Sequence, residues 1–324
     1  MQDRGDSVKS QDYFVKREKA WQEQQIKDDK KRMNEIKKRL QYAQDAIQKE
    51  IDAQWDSFSN GQKITRSEAM KRANEMDVQA FARKAKKYVK EKDFSPTANK
   101  ELKLYNLTMR VNRLELLKAN IGLELIAMFN DMDKYFSGEL TSAGLKELQR
   151  QAGILEMTIA KSGYAKLVEQ VINSSFRVDA FATFSERLWM YQAELKADLD
   201  KLLVRSVTLG RNPKQLAPEL KRFLTEKGRE NTRFNTERLM ITETTRVQIG
   251  IQERSYRDAD ITKYTFISEP SACRFCLPLN GKVFDVDKME PGTNAAPMHP
   301  FCRCSTAPYV DRTAFEKMLK ERGI

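Results

Sequence analysis

At 324 residues the chain is long enough for two or three domains, and its 40% apolar content can bury a core of modest size. Charged residues make up 32% of it and the formal net charge is +12, a balance that suits polyanionic partners or a well-solvated helical surface. No apolar run reaches the roughly 18 residues of a membrane span. Met1 to Ser10 is polar with no signal-peptide core, so the expectation is a cytoplasmic protein with reduced thiols and no membrane partner.

The first segment is highly charged but nearly neutral, with 13 basic and 12 acidic side chains in residues 1–60. Met33, Ile36, Leu40, Ala43 and Ile47 recur at three- and four-residue steps. That spacing predicts a coiled-coil-like helix, too short to stand without a packing partner. Asn60-Gly61 breaks the pattern, and Thr65-x-x-Glu68 is a capping box that opens a second helix, predicted to run to about Glu91. Residues 61–100 hold 11 basic against 5 acidic side chains. Within them Arg83, Lys86, Lys87 and Lys90 share one helical face, which suits sequence-independent contact with a phosphate backbone; a solvated face or an acidic protein partner would look the same.

Ser95-Pro96 reads as a cap followed by a first-turn proline and starts a third helix. Leu107, Leu114, Ile121 and Met128 fall seven apart along it, a stripe expected to be bundle core. Further helices are predicted at about 142–152, 153–173 and 177–208, the last ended by Gly210. Asn212-Pro213 opens a short helix to about 225, and Asn231 to Arg257 reads as one more. Residues 201–260 form a second basic block, with 13 positive against 8 negative side chains.

After residue 260 the pattern turns to β. Lys263 to Ser268 and Gly281 to Phe284 are rich in β-branched and aromatic residues and predict two strands around Cys273-x-x-Cys276. The expected fold is mainly α with a small α+β carboxy-terminal domain. Its expected division is 1–94 as an extended helical arm, 95–208 as a central bundle and 209–324 as the metal-bearing domain.

All four cysteines and the single histidine fall in this last part, as Cys273, Cys276, His299, Cys302 and Cys304. Thiolates and an imidazole at such spacing are what a tetrahedral zinc site needs, with Cys273-Arg274-Phe275-Cys276 as a knuckle. Five candidates compete for four positions; Cys273, Cys276, Cys302 and either His299 or Cys304 is the preferred set. Two disulfides are the alternative, disfavoured in a reducing compartment. A catalytic metal is not expected: deaminase-type zinc chemistry needs a His-x-Glu that is missing, and hydrolytic zinc normally uses several histidines. No glycine-rich phosphate loop occurs either.

The run Tyr264-x-Phe266 … Ser271-Ala272-Cys273-Arg274-Phe275-Cys276-Leu277-x-Leu279-x-Gly281-Lys282-x-Phe284 … Pro297-x-His299-Pro300-x-Cys302-Arg303-Cys304 resembles the phage Mu F-like minor head proteins, also called phage head morphogenesis proteins. Leu209-Gly210 … Leu216-Ala217-x-x-Leu220 and the helix around Arg238 to Thr244 look like the helices preceding it in the same family. The resemblance covers roughly residues 180–310. It departs at Ile241, where the family helix usually has arginine before Thr242-Glu243, with Arg238 and Arg246 one turn to either side. A packed and capped helix joint is an equal reading of Thr242 and Glu243.

What the resemblance implies is a low-copy, non-enzymatic component of a tailed-phage head, associated with the portal protein during assembly. Such a protein contacts packaged double-stranded DNA without sequence preference and affects its packaging, retention or ejection, with scaffold or major capsid protein as further partners. It sits in the virion, in the head interior or near the portal, and in the host cytoplasm during assembly. The rival reading is a zinc-containing nucleic-acid-binding protein with helical oligomerisation arms, unrelated to virions.

Overall fold

The computed structural model describes residues 11–59, 75–108, 113–155, 161–174, 182–208 and 228–309. The described residues form helices α1 (Gln11–Ser59), α2 (Glu75–Glu91), α3 (Pro96–Thr108), α4 (Arg113–Leu155), α5 (Lys161–Asn173), α6 (Phe184–Thr208) and α7 (Gly228–Asp258). Strands β1 (Lys263–Ile267), β2 (Val283–Asp285) and β3 (Ser305–Tyr309) follow. The protein is thus mainly α with a small carboxy-terminal sheet, as its sequence predicts.

Two compact units result, each discontinuous in sequence. The first takes the chain up to Arg32, Ser137–Phe184 and the chain from Arg238; the second takes Met33–Phe136 and Ser185–Glu237. The sequence reading instead divides the chain successively, at 94/95 and 208/209.

In the second unit, Ile47 of α1, Leu117, Ile121 and Leu125 of α4 and Leu199 of α6 form one buried apolar cluster. The spaced apolar seam of α1 accounts for its share: Ile36, Leu40, Ala43 and Ile47 are all buried. Ser95 caps α3 as its sequence predicts, its hydroxyl accepting the Ala98 amide at 3.2 Å while Pro96 takes the first helical position. The Thr65 capping box and the predicted helix from Asn212 lie outside the described residues.

The first unit combines the carboxy-terminal parts of α4 and α7 with α5, the sheet and residues 11–32 of α1. The predicted break before residue 142 is absent, because α4 runs unbroken through Gly138 and Gly144. Gly144 serves packing here, since a Cβ on it would lie 2.6 Å from Val168 of α5. Burial of Phe136, Leu140, Ala143 and Leu148 along α4 outweighs the roughly 1 kcal/mol that a helical glycine costs. Gly250 of α7 likewise lets Val171 of α5 come close, at 2.8 Å from where its Cβ would be.

The sheet has the order β2-β1-β3, with β1 antiparallel to both neighbours. Tyr264 and Phe266 of β1 are fully buried and pack with Ile249 and Tyr256 of α7. Both predicted strands are present within a residue or two. The third, Ser305–Tyr309, is missing from the sequence reading; Pro308 within it argues against a strand but is tolerated at this edge position, opposite Tyr264.

Candidate metal centre

The Cys-x-x-Cys turn follows β1 and is held by its own backbone. The amides of Cys276 and Leu277 both donate to the Cys273 carbonyl, at 3.1 and 3.0 Å. Gly281 then turns the chain into β2 with φ +79°, a left-handed conformation open to glycine, and its amide donates to Phe266 at 2.8 Å. The Asn280 side chain accepts the Ser268 amide at 3.0 Å and closes the loop.

The second half of the cluster lies on the loop before β3. His299 Nε2 is 3.1 Å from Cys273 Sγ and 3.3 Å from Cys276 Sγ. Its Nδ1 is 2.7 Å from the Pro300 carbonyl oxygen, which assigns the proton of a neutral ring to Nδ1 and leaves the Nε2 lone pair facing the thiols. Cys276 Sγ lies 4.0 Å from Cys302 Sγ. The ligand atoms of Cys273, Cys276 and His299 lie within 4.8 Å of one another, and so do those of Cys276, Cys302 and Cys304. Cys276 belongs to both groups and is central. Tetrahedral zinc, with Zn–S bonds of about 2.3 Å, sets sulfur–sulfur edges near ~3.8 Å, so the donor set is of the right kind and scale. None of the four cysteines is disulfide-bonded in this structure, and their sulfurs stay within metal-sharing distance instead.

Burial and mutual contact divide the protons unevenly. Backbone hydrogen bonds from Cys276 and Phe275 lower the Cys273 pKa, and a hydrogen bond from Cys304 brings Cys302 down to about 6. Burial, with Cys302 beside it, pushes Cys276 up to about 12; the hydrogen bond to Cys302 and burial raise Cys304. Burial disfavours a charged His299, but the Pro300 carbonyl and the Cys302 and Cys273 sulfurs outweigh it and raise its pKa. Such a cluster shares protons among soft donors packed too closely to ionise independently, a donor set suited to a divalent cation.

Helix α7 supports this loop. Phe301 takes a left-handed φ of 64°, and its amide donates to Thr242 Oγ1 at 3.2 Å. Thr245 donates to the Cys302 carbonyl at 2.8 Å and accepts from Arg303 at 2.9 Å. Thr242 and Thr245 thus hold the segment that carries His299, Cys302 and Cys304. Glu243 pairs with Arg246, whose guanidinium also donates to the Val171 and Ile172 carbonyls at the end of α5. Arg246 therefore joins α7 to the end of α5 from one turn beyond Thr242. Thr242 and Thr245 could have been suspected from their position on the matching helix; their partners could not.

Of the basic residues singled out in the sequence, Arg83, Lys86, Lys87 and Lys90 are all exposed on α2, opposite buried Phe81 and Ala85. Lys87 lies 3.8 Å from Glu91 on the same face. Lys84, between them in sequence, turns inward to Glu50 and Glu124. No described helix is long and apolar enough to cross a membrane.

Sequence reasoning missed a stripe on α1. Glu18, Gln22, Gln25, Asp29 and Arg32 are 2–6% exposed, at the same three- and four-residue spacing as the apolar seam that follows. Polar residues at such positions read as solvent-facing, and here they are buried, Glu18, Gln22, Asp29 and Arg32 each on a polar partner. Among curated proteins and among solved structures, none matches the chain. Residues 197–307, from within α6 to β3, match the family described as Phage Mu protein F like protein, so the resemblance carried by the cysteine segment holds over this stretch of the chain.

Proposed function

We propose that the protein is a minor head protein of a tailed phage, acting in head morphogenesis at the portal and contacting packaged DNA. The observation that carries this reading is the family match over residues 197–307, which contains the whole cysteine and histidine cluster. In this reading the chain works in the virion, in the head interior or close to the portal, and influences packaging, retention or ejection of DNA. The exposed basic face of α2, with Arg83, Lys86, Lys87 and Lys90, is its tract for phosphate contact.

Cys273, Cys276 and Cys302, with His299 or Cys304, hold a structural zinc in this proposal. The ion would crosslink the knuckle to the loop before β3, adding stability to the small three-stranded sheet. Its role is mechanical, since a lone histidine and closely packed thiols offer no open position for a reacting water.

The rival reading, a zinc-containing nucleic-acid-binding protein unconnected to virions, draws on the same basic face. Co-expression with a tailed-phage portal protein from the same genome separates the two. The head-protein reading expects co-purification with portal oligomers. Tight, sequence-selective duplex binding without portal affinity would overturn it.

A further inference from the structure

The Cys302-Arg303-Cys304 segment is held by a part of the chain more than 250 residues away. Arg303 is 6% exposed and directs its Nε and one terminal nitrogen at the two carboxylate oxygens of Asp29 on α1, a bidentate pair. Asp29 also accepts from Arg32 at 3.1 Å, and Arg32 reaches Glu139 of α4 at 3.0 Å. On the other side, Arg303 donates to Thr245 at 2.9 Å, and its backbone amide donates to Glu269 at 3.2 Å. Gln22 of α1 donates to the Arg303 carbonyl at 3.3 Å and to the Ile267 carbonyl at 3.1 Å. Arg303 is thus fixed from α1 and α7 at once, between two candidate ligands.

Residues 11–32 of α1 meet the carboxy-terminal module through hydrogen bonds and ion pairs. Besides Gln22 and Asp29, Gln11 donates to Thr265 at 3.1 Å, and Ser305 donates to Glu18 at 2.5 Å. A polar face of this kind can hydrate when it separates. An apolar one would drive association wherever it was exposed. Its attachment therefore depends on its partners being correctly placed, and the partners lie on the segment that carries Cys302 and Cys304.

From this geometry we infer that Asp29 is a positioning residue of the metal centre, and that docking of α1 residues 11–32 and metal loading are coupled. The inference rests on the reading of the cluster as a zinc site. Asp29 touches no ligand atom; it orients Arg303, and through it the backbone that presents Cys302 and Cys304. Outer residues of this kind commonly change metal affinity by about 10–100-fold when altered. By linkage, whatever α1 docking adds to zinc affinity, zinc adds to α1 docking.

The test uses the full chain and zinc itself. Zinc affinity is measured by competition with a chelating indicator for the wild type, for Asp29→Asn and for Gly250→Ala, with folding checked by cooperative thermal melting. The Gly250 variant strains the packing of α7 on Val171 and controls for general destabilisation. Asp29→Asn should bind the same amount of zinc on the order of tenfold more weakly, with Gly250→Ala unchanged. Hydrogen exchange of the wild type, with and without zinc, should show residues 11–32 losing protection when the metal is removed; this arm stands even if Asp29→Asn fails to fold. Unchanged affinity in a folded Asp29→Asn, or unchanged protection of residues 11–32 in zinc-stripped protein, overturns the coupling and leaves the zinc site standing. A wild type that binds no zinc overturns both.

Discussion

Cys276 belongs to both ligand groups, is fully buried, and lies within 4.0 Å of Cys302 Sγ and 3.3 Å of His299 Nε2. Its replacement should therefore be the most damaging at the cluster. Cys276→Ser leaves a poor zinc ligand in a pocket shaped for sulfur, and the carboxy-terminal module should unfold; tryptic digestion read by mass spectrometry would show cleavage spreading from residue 263 onward. A zinc-free variant that keeps this region protected would count against a structural metal. All five candidate ligands were legible in the sequence, because soft donors at short spacing carry their chemistry in their identity. Thr242, Thr245 and Asp29 were not legible as supports of the same loop. Threonine on a helix reads as ordinary, and an aspartate in a charged helix reads as solvated, until the chain brings each against the segment around residue 302.

Helix types were readable from periodicity, and their ends were readable where caps are local, as at Ser95-Pro96. The break expected before residue 142 is absent from α4, where Gly144 permits a close approach to Val168 and the helix continues unbroken. Gly250 makes the same kind of contact in α7. Gly250→Ala should cost about 1–3 kcal/mol, since the branched Val171 has little freedom to withdraw, and urea denaturation would read it. No loss of stability would mean that α5 sits more loosely on α7.

The polar half of the α1 stripe makes a separate prediction about pH. Glu18 is buried against Arg150, Glu147 and Ser305, and burial raises its pKa above the ordinary 4.5, although Arg150 opposes the shift. A raised carboxylate pKa means that the folded state binds the proton more tightly. Its contribution is therefore fully present below the unfolded value and falls as pH rises through the folded one. Thermal melting across that range should show the wild type losing stability on this account, with Glu18→Gln flattening the decline. Parallel curves for the two proteins would contradict it.

At the scale of the whole molecule, the family match occupies residues 197–307, and the long helices before it supply the features that the match does not explain. One is the exposed basic face of α2. Changing Arg83, Lys86, Lys87 and Lys90 together to glutamine should weaken duplex binding without altering sequence preference. If all four meet phosphates, it should also reduce the slope of log affinity against log salt by roughly 3–4. An unchanged slope would move the DNA contact elsewhere, with the basic block of residues 201–260 next in line. The other feature is the interleaving of the chain, with residues up to Arg32 in the same unit as the chain from Arg238. This interleaving is invisible to periodicity, because long-range polar pairs such as Asp29 with Arg303 leave no periodic trace. In the proposed reading, the carboxy-terminal module depends on its cysteines and His299 acting together on one ion. The most direct measurement is the metal content of the purified, untagged protein by elemental analysis: the account predicts one zinc per chain, and a folded protein with no stoichiometric metal would contradict it.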